Sequence, residues 1–329
     1  MPRVTRIRSA ALAVVAGGAA LILAACGSAG AAPAASGPVD LTTVTIRTGD
    51  QLGQIGGMLA ASGQDVGMPY RVEYSRFDSG APLLEAIRAG ASDFGGVALS
   101  TTVNAIGAGA PLKVAGIFKQ SRGDGLGLLV PQGSPITSVA DLRGKTVAPN
   151  LKGSPAHLIL IRQLKRAGVD PKDVNIVFLA PADAQAALAS GRIDAWETWD
   201  PYLVTAQRAG AKVIEDSTGL SDGLFTFPAS TAALADPGKR AAIADYLQRV
   251  DRAYKWRIDN PAAAGAWYAS LTKLPVDVAT AVIAKQDQRL IPLSDKVVAD
   301  AQATIDDYVS LGVMPKPVAA KDIFDSVVG

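Results

Sequence analysis

Between residues 44 and 215, short apolar runs and helix-like stretches alternate along the chain, and that alternation limits the fold more than any other feature. Strand-like runs fall at 44–47, 70–76, 94–99, 112–118, 125–130, 145–148, 174–179, 193–196 and 212–215. Helical stretches lie at 51–61, 82–89, 154–167, 183–189 and 202–209, with a helical turn at 139–142. Strands separated by helices of about 10–15 residues predict parallel sheets with helices on both faces. From about residue 236 the pattern changes and helical spacing dominates, with Ile243, Tyr246, Leu247 and Val250 forming an apolar stripe over 239–256. Pro261 and Pro275 start two further helices, and Leu293-Ser294-Asp295 starts a fourth. The expected fold class is α/β with a helical C-terminal region packed back on the first lobe.

The N-terminus carries Arg3, Arg6 and Arg8 and then an apolar, small-residue-rich run over 10–25. A membrane span needs about 20 apolar residues, so this run reads as a secretory signal. It ends in Leu23-Ala24-Ala25-Cys26-Gly27, which resembles a bacterial lipobox. Cys26 is the only cysteine of the chain, and secretion normally goes with paired cysteines or none. Cys26 is therefore expected to be the lipidated first residue of the mature protein. Residues 26–39 are mainly Gly, Ser, Ala and Pro and are expected to be a flexible linker. The folded body then starts near Asp40. Removing the three N-terminal Arg leaves 29 Lys+Arg against 30 Asp+Glu, so the excess positive charge belongs to the leader. No basic patch or known motif points to nucleic acid.

Catalytic chemistry finds little support. His157 is the only histidine, and no Cys or His cluster has metal-ligand spacing. No serine elbow, P-loop or dinucleotide fingerprint is present. The expectation is a protein without cofactor or metal that binds rather than transforms.

Two segments stand out as ligand-facing. Lys152-Gly153-Ser154-Pro155-Ala156-His157 opens a strongly apolar helix. Ser154 suits the cap and Pro155 the first helical position, and a helix start offers free N–H groups and partial positive charge to an anion. The same residues also describe an ordinary well-capped helix, with His157 structural. The second segment is Trp196-Glu197-Thr198-Trp199-Asp200-Pro201-Tyr202, at a strand-to-helix junction. Aromatic side chains at a strand mouth make good walls for a small-molecule cleft. Alternatively, Trp196 is core and Trp199 covers the helix start.

Over about 180 residues, the order and spacing of several segments resemble the binding proteins of aliphatic-sulfonate, taurine and nitrate ABC importers, with the aliphatic-sulfonate branch nearest. The carrying segments are Leu83-Leu84-Glu85-Ala86 with Gly90 and Asp93-Phe94-Gly95; Val139-Ala140-Asp141-Leu142-Arg143-Gly144-Lys145; Gly153-Ser154 with His157; Ala180-Pro181-Ala182-Asp183-Ala184; and Gly191-Arg192-Ile193-Asp194-Ala195-Trp196 with Trp199-Asp200-Pro201-Tyr202. The resemblance implies a periplasmic-binding-protein-like fold of type II, two doubly wound α/β lobes joined by crossings near Val130 and Leu224. Lobe 1 would be 40–130 plus 225–329, and lobe 2 would be 131–224. It implies a monomer, tethered to the outer face of the cytoplasmic membrane, that feeds a permease and an ATPase. By position it places Gln51, Leu52, Ser79, Gly80, Ser100, Thr101, Gly153, Ser154, His157, Trp196, Glu197 and Trp199 at the ligand, an organosulfonate.

Three departures bear on that ligand. The first-strand loop reads Thr48-Gly49-Asp50-Gln51-Leu52-Gly53 rather than an aromatic-rich form. Leu99-Ser100-Thr101-Thr102 stands where sulfonate binders often carry Gly-Asp, and Glu197 stands where an apolar residue is frequent. If Glu197 faces the cleft, it favours a ligand that also carries an amine. Nitrate, an aromatic carboxylate and a pyrimidine-type vitamin precursor are the other ligands the resemblance allows. A synthase of the pyrimidine-precursor type would need His and Cys residues that this chain lacks.

Overall fold

The computed structural model describes residues 39–120, 125–314 and 316–328. The signal segment, Cys26 and all of the linker before Val39 lie outside the described residues. The chain first lays down β1 (Thr45–Gln51), α1 (Gln54–Ala61), β2 (Arg71–Phe77), α2 (Gly80–Arg88), β3 (Phe94–Gly95), β4 (Val97–Ala98), α3 (Leu99–Gly107) and β5 (Leu112–Lys119). A second sheet is then built from β6 (Leu126–Val130), β7 (Thr146–Ala148), β8 (Asn175–Ile176), β9 (Ala195–Trp199) and β10 (Lys212–Asp216). Its helices are α4 (Pro155–Arg166), α5 (Pro181–Ala189) and α6 (Tyr202–Arg208). The chain returns with β11 (Leu224–Ser230) and finishes with α7 (Thr231–Ala235), α8 (Pro237–Asp259), α9 (Pro261–Thr272), α10 (Val276–Ile283), β12 (Arg289–Ile291) and α11 (Asp295–Ser310).

The first sheet runs β12-β5-β11-β3-β1-β2, with β4 paired to β11, and the second runs β10-β6-β9-β7-β8. This is the expected α/β class in two sheets, but the sheets are mixed rather than parallel. β1 pairs parallel with β2 and β3, and β7 with β8 and β9. β11 runs antiparallel to β3, β4 and β5, and β6 runs antiparallel to β9 and β10. The reason is how the chain arrives. β6 and β11 are each reached by a direct crossing from the other sheet, so no helical crossover forces them parallel to their neighbours. The crossings fall between Lys119 and Leu126 and between Asp216 and Leu224. β6, read from sequence as the end of the first lobe, hydrogen-bonds within the second sheet.

The first core forms where α8 lies across the first sheet. Asp236 caps α8 by accepting the Lys239 N–H at 2.9 Å, and Pro237 takes the first helical position. The stripe expected from spacing, Ile243, Tyr246, Leu247 and Val250, is completely buried. Phe94 meets the Tyr246 ring edge-on at 5.1 Å, and Gly116 leaves room for Leu247, which a Cβ there would strike at 2.5 Å. The second sheet has its own core of Leu128, Val130, Val147, Leu160, Leu164 and Ala195. The run at 174–179 yields only a two-residue strand at the sheet edge, and α3 begins at Leu99, where the sequence reading ended a strand. Among the described residues, no helix is long and apolar enough to cross a membrane.

Candidate ligand-binding site

A cavity of about 190 Å³ is lined by residues of both lobes and of the crossings. On the first-lobe side, three strands end in tight turns that lead directly into helices. After β1, Leu52 and Gly53 adopt left-handed backbone (φ 58 and 75), so the chain reverses within two residues. Asp50 closes that turn by accepting the N–H groups of Ile55 (3.0 Å) and Gly56 (2.8 Å), which occupies the start of α1. Burial raises the Asp50 carboxyl above the usual carboxylate range, opposed by those N–H groups. Gln51 donates through Nε2 to the Gly96 carbonyl at 2.7 Å, tying the turn to the break between β3 and β4. Gly96 is required there, because a Cβ would sit 2.7 Å from the Phe225 ring.

The starts of α2 and α3 differ from that of α1. Neither has a side-chain cap, although Ser79 and Gly80 open the first and Leu99, Ser100 and Thr101 the second. All five line the cavity. The first N–H groups of a helix have no partner within it, so these two starts present donors and partial positive charge to the cavity. Ser100 is 4% exposed, and its hydroxyl makes no hydrogen bond of standard geometry among the described residues, although it interacts with the Tyr308 hydroxyl. A buried hydroxyl whose own contacts are this loose gains from a further partner that a ligand supplies.

The second lobe contributes one face of α4 and the end of β9. Ser154, Pro155, Leu158, Ile159 and Arg162 line the cavity, one helical turn apart. The Ser154 hydroxyl is committed to structure: it accepts the His157 N–H at 3.2 Å and donates to the Pro149 carbonyl at 2.9 Å. Arg162 donates to Asp307 Oδ2 (2.8 Å), to the Leu220 carbonyl (2.7 Å) and to Thr304 (3.4 Å), so α4 is held against α11 and the return crossing. Trp199 and Asp200 complete this wall. Asp200 accepts the Val204 N–H at 3.2 Å, and burial pushes its carboxyl up to about 6.

Of the twelve residues expected at the ligand, the cavity brings together eight: Gln51, Leu52, Ser79, Gly80, Ser100, Thr101, Ser154 and Trp199. The other four lie elsewhere, each for a visible reason. Alternation along β9 sends Trp196 and Thr198 to one face, where Asn150 bonds both: Trp196 Nε1 donates to Asn150 Oδ1 at 2.8 Å and Asn150 donates to Thr198 at 3.1 Å. Trp196 is thus core, the alternative that its sequence also allowed. Glu197 is fully buried inside β9, opposite Leu128, and does not reach the cavity. Gly153 (φ 77) makes room for Asn104 rather than for a ligand, since a Cβ there would collide with the Asn104 amide. His157 accepts the Gly153 N–H through Nδ1 at 3.2 Å and packs edge-on against Phe178 at 5.0 Å. Burial, with Lys152 nearby, lowers its imidazole to about 4, so it is neutral.

Sequence reasoning missed Arg162, Asp50, Asp222, Tyr254 and Gln286, all of which line the cavity. Arg162 was within reach, since 154, 158 and 162 recur at helical spacing. Tyr254 and Gln286 come from the C-terminal helical region and carry no local signal. No group of His, Cys, Asp and Glu among the described residues could hold a metal ion.

The model of the family described as NMT1/THI5 like matches residues 72–264, more than half of the chain. The chain belongs to the NMT1/THI5-like family. The chain is similar to a protein of Escherichia coli (strain K12) described as an aliphatic sulfonates-binding protein. It is 32% identical over 279 residues, 83% of this chain and 86% of its own. Among solved structures, the alkanesulfonate-binding protein SsuA from Xanthomonas axonopodis pv. citri, bound to MOPS, superposes with a TM-score of 0.78. It shares 28% identity and covers 87% of this chain and 98% of its own. The desulfurization enzyme DSZB has the same fold, with a TM-score of 0.60 at 15% identity over 86% of this chain and 96% of its own. The NMT1/THI5-like fold thus carries both binding proteins and an enzyme.

Proposed function

We propose that this chain is an extracytoplasmic solute-binding protein that captures a small organic sulfonate and delivers it to an ABC importer made of a permease and an ATPase. The observation that carries the reading is the pair of uncapped helix starts, α2 and α3, opening on the cavity beside the buried Ser100 hydroxyl. A sulfonate presents three acceptor oxygens, which match the uncapped helix-start N–H groups and the hydroxyls beside them. The apolar side chains of Leu126, Leu158 and Ile159 suit a short carbon tail. The alkanesulfonate-binding relatives support the same class of ligand.

In this reading the protein makes or breaks no bond. The chain's one histidine lies off the cavity, and the Ser154 hydroxyl is occupied as a helix cap. The two lobes are assigned as 40–119 with 224–329 and as 126–216, and closure about the crossings adds contacts to the ligand. The mature chain acts as a monomer, tethered through lipid on Cys26 at the outer face of the cytoplasmic membrane. Calorimetric titration of the full-length chain, purified in mild detergent, against alkanesulfonates, sulfate and nitrate tests the reading. Saturable heat with an alkanesulfonate, and recovery of that compound unchanged, are expected. A response to nitrate alone, or to none of these, would overturn it.

A further inference from the structure

A third part of the cavity wall comes from the C-terminal helical region. The turn after α10, at 284–288, contributes Gln286 and Gln288, and α8 contributes Tyr254. That turn is fixed from two sides. Gln120 donates through Nε2 to the Lys285 carbonyl at 2.9 Å. Arg257, three residues after Tyr254 on α8, donates through Nη2 to the Gln286 carbonyl and through Nη1 to Gln286 Oε1 at 3.3 Å. One guanidinium thus holds both oxygens of one wall residue.

Arg257 is an expensive residue for that task. It is 5% exposed, has no ion pair among the described residues, and its Nε has no hydrogen-bond partner there. Its guanidinium lies over the Tyr254 ring, 4.6 Å from the centroid, and Asp287 acts on it through space. Structure alone does not call for a charge here, because apolar side chains of similar volume are often as stable in place of buried charged groups.

The clamp decides which way the Gln286 amide points. A guanidinium donates and cannot accept, so the amide turns its oxygen to Arg257. Its Nε2 is left without a hydrogen bond among the described residues, on a side chain of the cavity wall. Gln51 and Gln120, in the same wall, spend their Nε2 groups on the Gly96 and Lys285 carbonyls. A cation at an amide oxygen also makes the N–H groups of that amide stronger donors, since hydrogen bonds in series polarise one another. We infer that Gln286 is a ligand-contacting donor that recognises the oxyanion in the cavity, and that Arg257 is the positioning residue that orients and polarises its amide. The inference rests on the sulfonate reading and adds to the helix starts a side-chain donor from the C-terminal region.

The test is calorimetric titration with butane-1-sulfonate, beside thermal unfolding of the same samples, on the full-length chain in detergent. Gln286→Ala should weaken binding about tenfold, the scale of a hydrogen bond to a charged group, with little change in the unfolding midpoint. Gln286→Glu should weaken binding further yet raise the midpoint, because the new carboxylate gives Arg257 a counter-charge and offers the anion no donor. A merely structural role would move affinity and midpoint in the same direction. Arg257→Met should weaken binding severalfold on its own and have no further effect in the Gln286→Ala background. Arg257→Lys keeps the charge but loses the fork, and serves in the same comparison if the Met variant does not fold. Unchanged affinity in Gln286→Ala, full affinity in Gln286→Glu, or an Arg257 effect that persists undiminished in the Gln286→Ala background would overturn the inference and leave the sulfonate reading intact. Failure of the unsubstituted chain to bind the sulfonate would overturn the two together.

Discussion

The two lobes build their halves of the cavity by different means. The first lobe offers backbone: three strand ends turn sharply into α1, α2 and α3, and the donors are helix N–H groups with short hydroxyls beside them. The second lobe offers side chains, spaced one turn apart along α4 and closed by Trp199 and Asp200 from the end of β9. A backbone donor is set by where a turn ends, and most small residues can accompany it. A side-chain contact depends on register, and a shift of one residue sends it to the core. Trp196 and Trp199 show the difference on one strand, since they face opposite ways three residues apart.

The contrast is tested most severely at those two tryptophans. Trp196→Ala should cost about 3–5 kcal/mol of stability, as for a buried aromatic side chain, and leave the Asn150 carbonyl oxygen without its donor. Trp199→Ala should cost clearly less stability, since Trp199 is only partly buried against Leu126, Ala156 and Ile159, and should weaken ligand binding. Denaturant unfolding and calorimetry on both variants separate the two roles, and equal loss of stability would erase the distinction.

The second lobe also carries two titrating groups of opposite sign. Asp200, raised to about 6 by burial, binds its proton more tightly folded than unfolded, so its contribution grows as pH falls from about 6 toward 4. His157, lowered to about 4, prefers its proton in the unfolded chain, so its contribution is lost over the window from about 6.5 down to 4. Each effect is of the order of 2–3 kcal/mol. Asp200→Asn should therefore steepen the loss of stability toward pH 4, while His157→Gln should flatten or reverse it. Denaturation midpoints between pH 4 and 7 read both, and parallel pH profiles for the two variants would contradict these assignments.

Smaller effects are expected in the first lobe. Ser100→Ala removes a hydroxyl whose proposed partner is the ligand, so affinity should fall roughly tenfold, the scale of a hydrogen bond to a charged group, with little change in unfolding. Ser154→Ala removes a helix cap instead, and about 1 kcal/mol of stability should go with only a minor change in affinity. If Ser154→Ala has the larger effect on binding, the sharing of roles between the lobes is reversed. Cys26→Ala should change neither quantity and should release the protein from membranes on fractionation.

Much of the architecture was legible in the chain. Periodicity placed the stripe of α8, and the Ser154-Pro155 pair marked the start of α4. The loops after β1 and β2 were placed by order along the chain. What was not legible depended on contacts between distant segments. α3 was hidden because the strand was read through to Leu99 with Ser100-Thr101 as the loop after it, and the helix that starts there packs against α11, α2, β11 and α4. The antiparallel course of β6 and β11 could not be read from spacing, since it follows from which sheet the chain has just left. Gly153 was read as room for a ligand when it is room for Asn104, because a glycine does not reveal which neighbour comes close.

The apolar cluster around Leu158 carries a mechanical consequence. It joins that residue of α4 to Leu99 and Val103 of α3 and to Ile305 and Tyr308 of α11, so the two lobes share an apolar contact there. Parting that edge would expose apolar surface to water, as would parting Val204 of α6 from the cluster of α9 and α10. The last long helix of the chain, α11, thus ties α4 of the second lobe to α3 of the first, far in sequence from both.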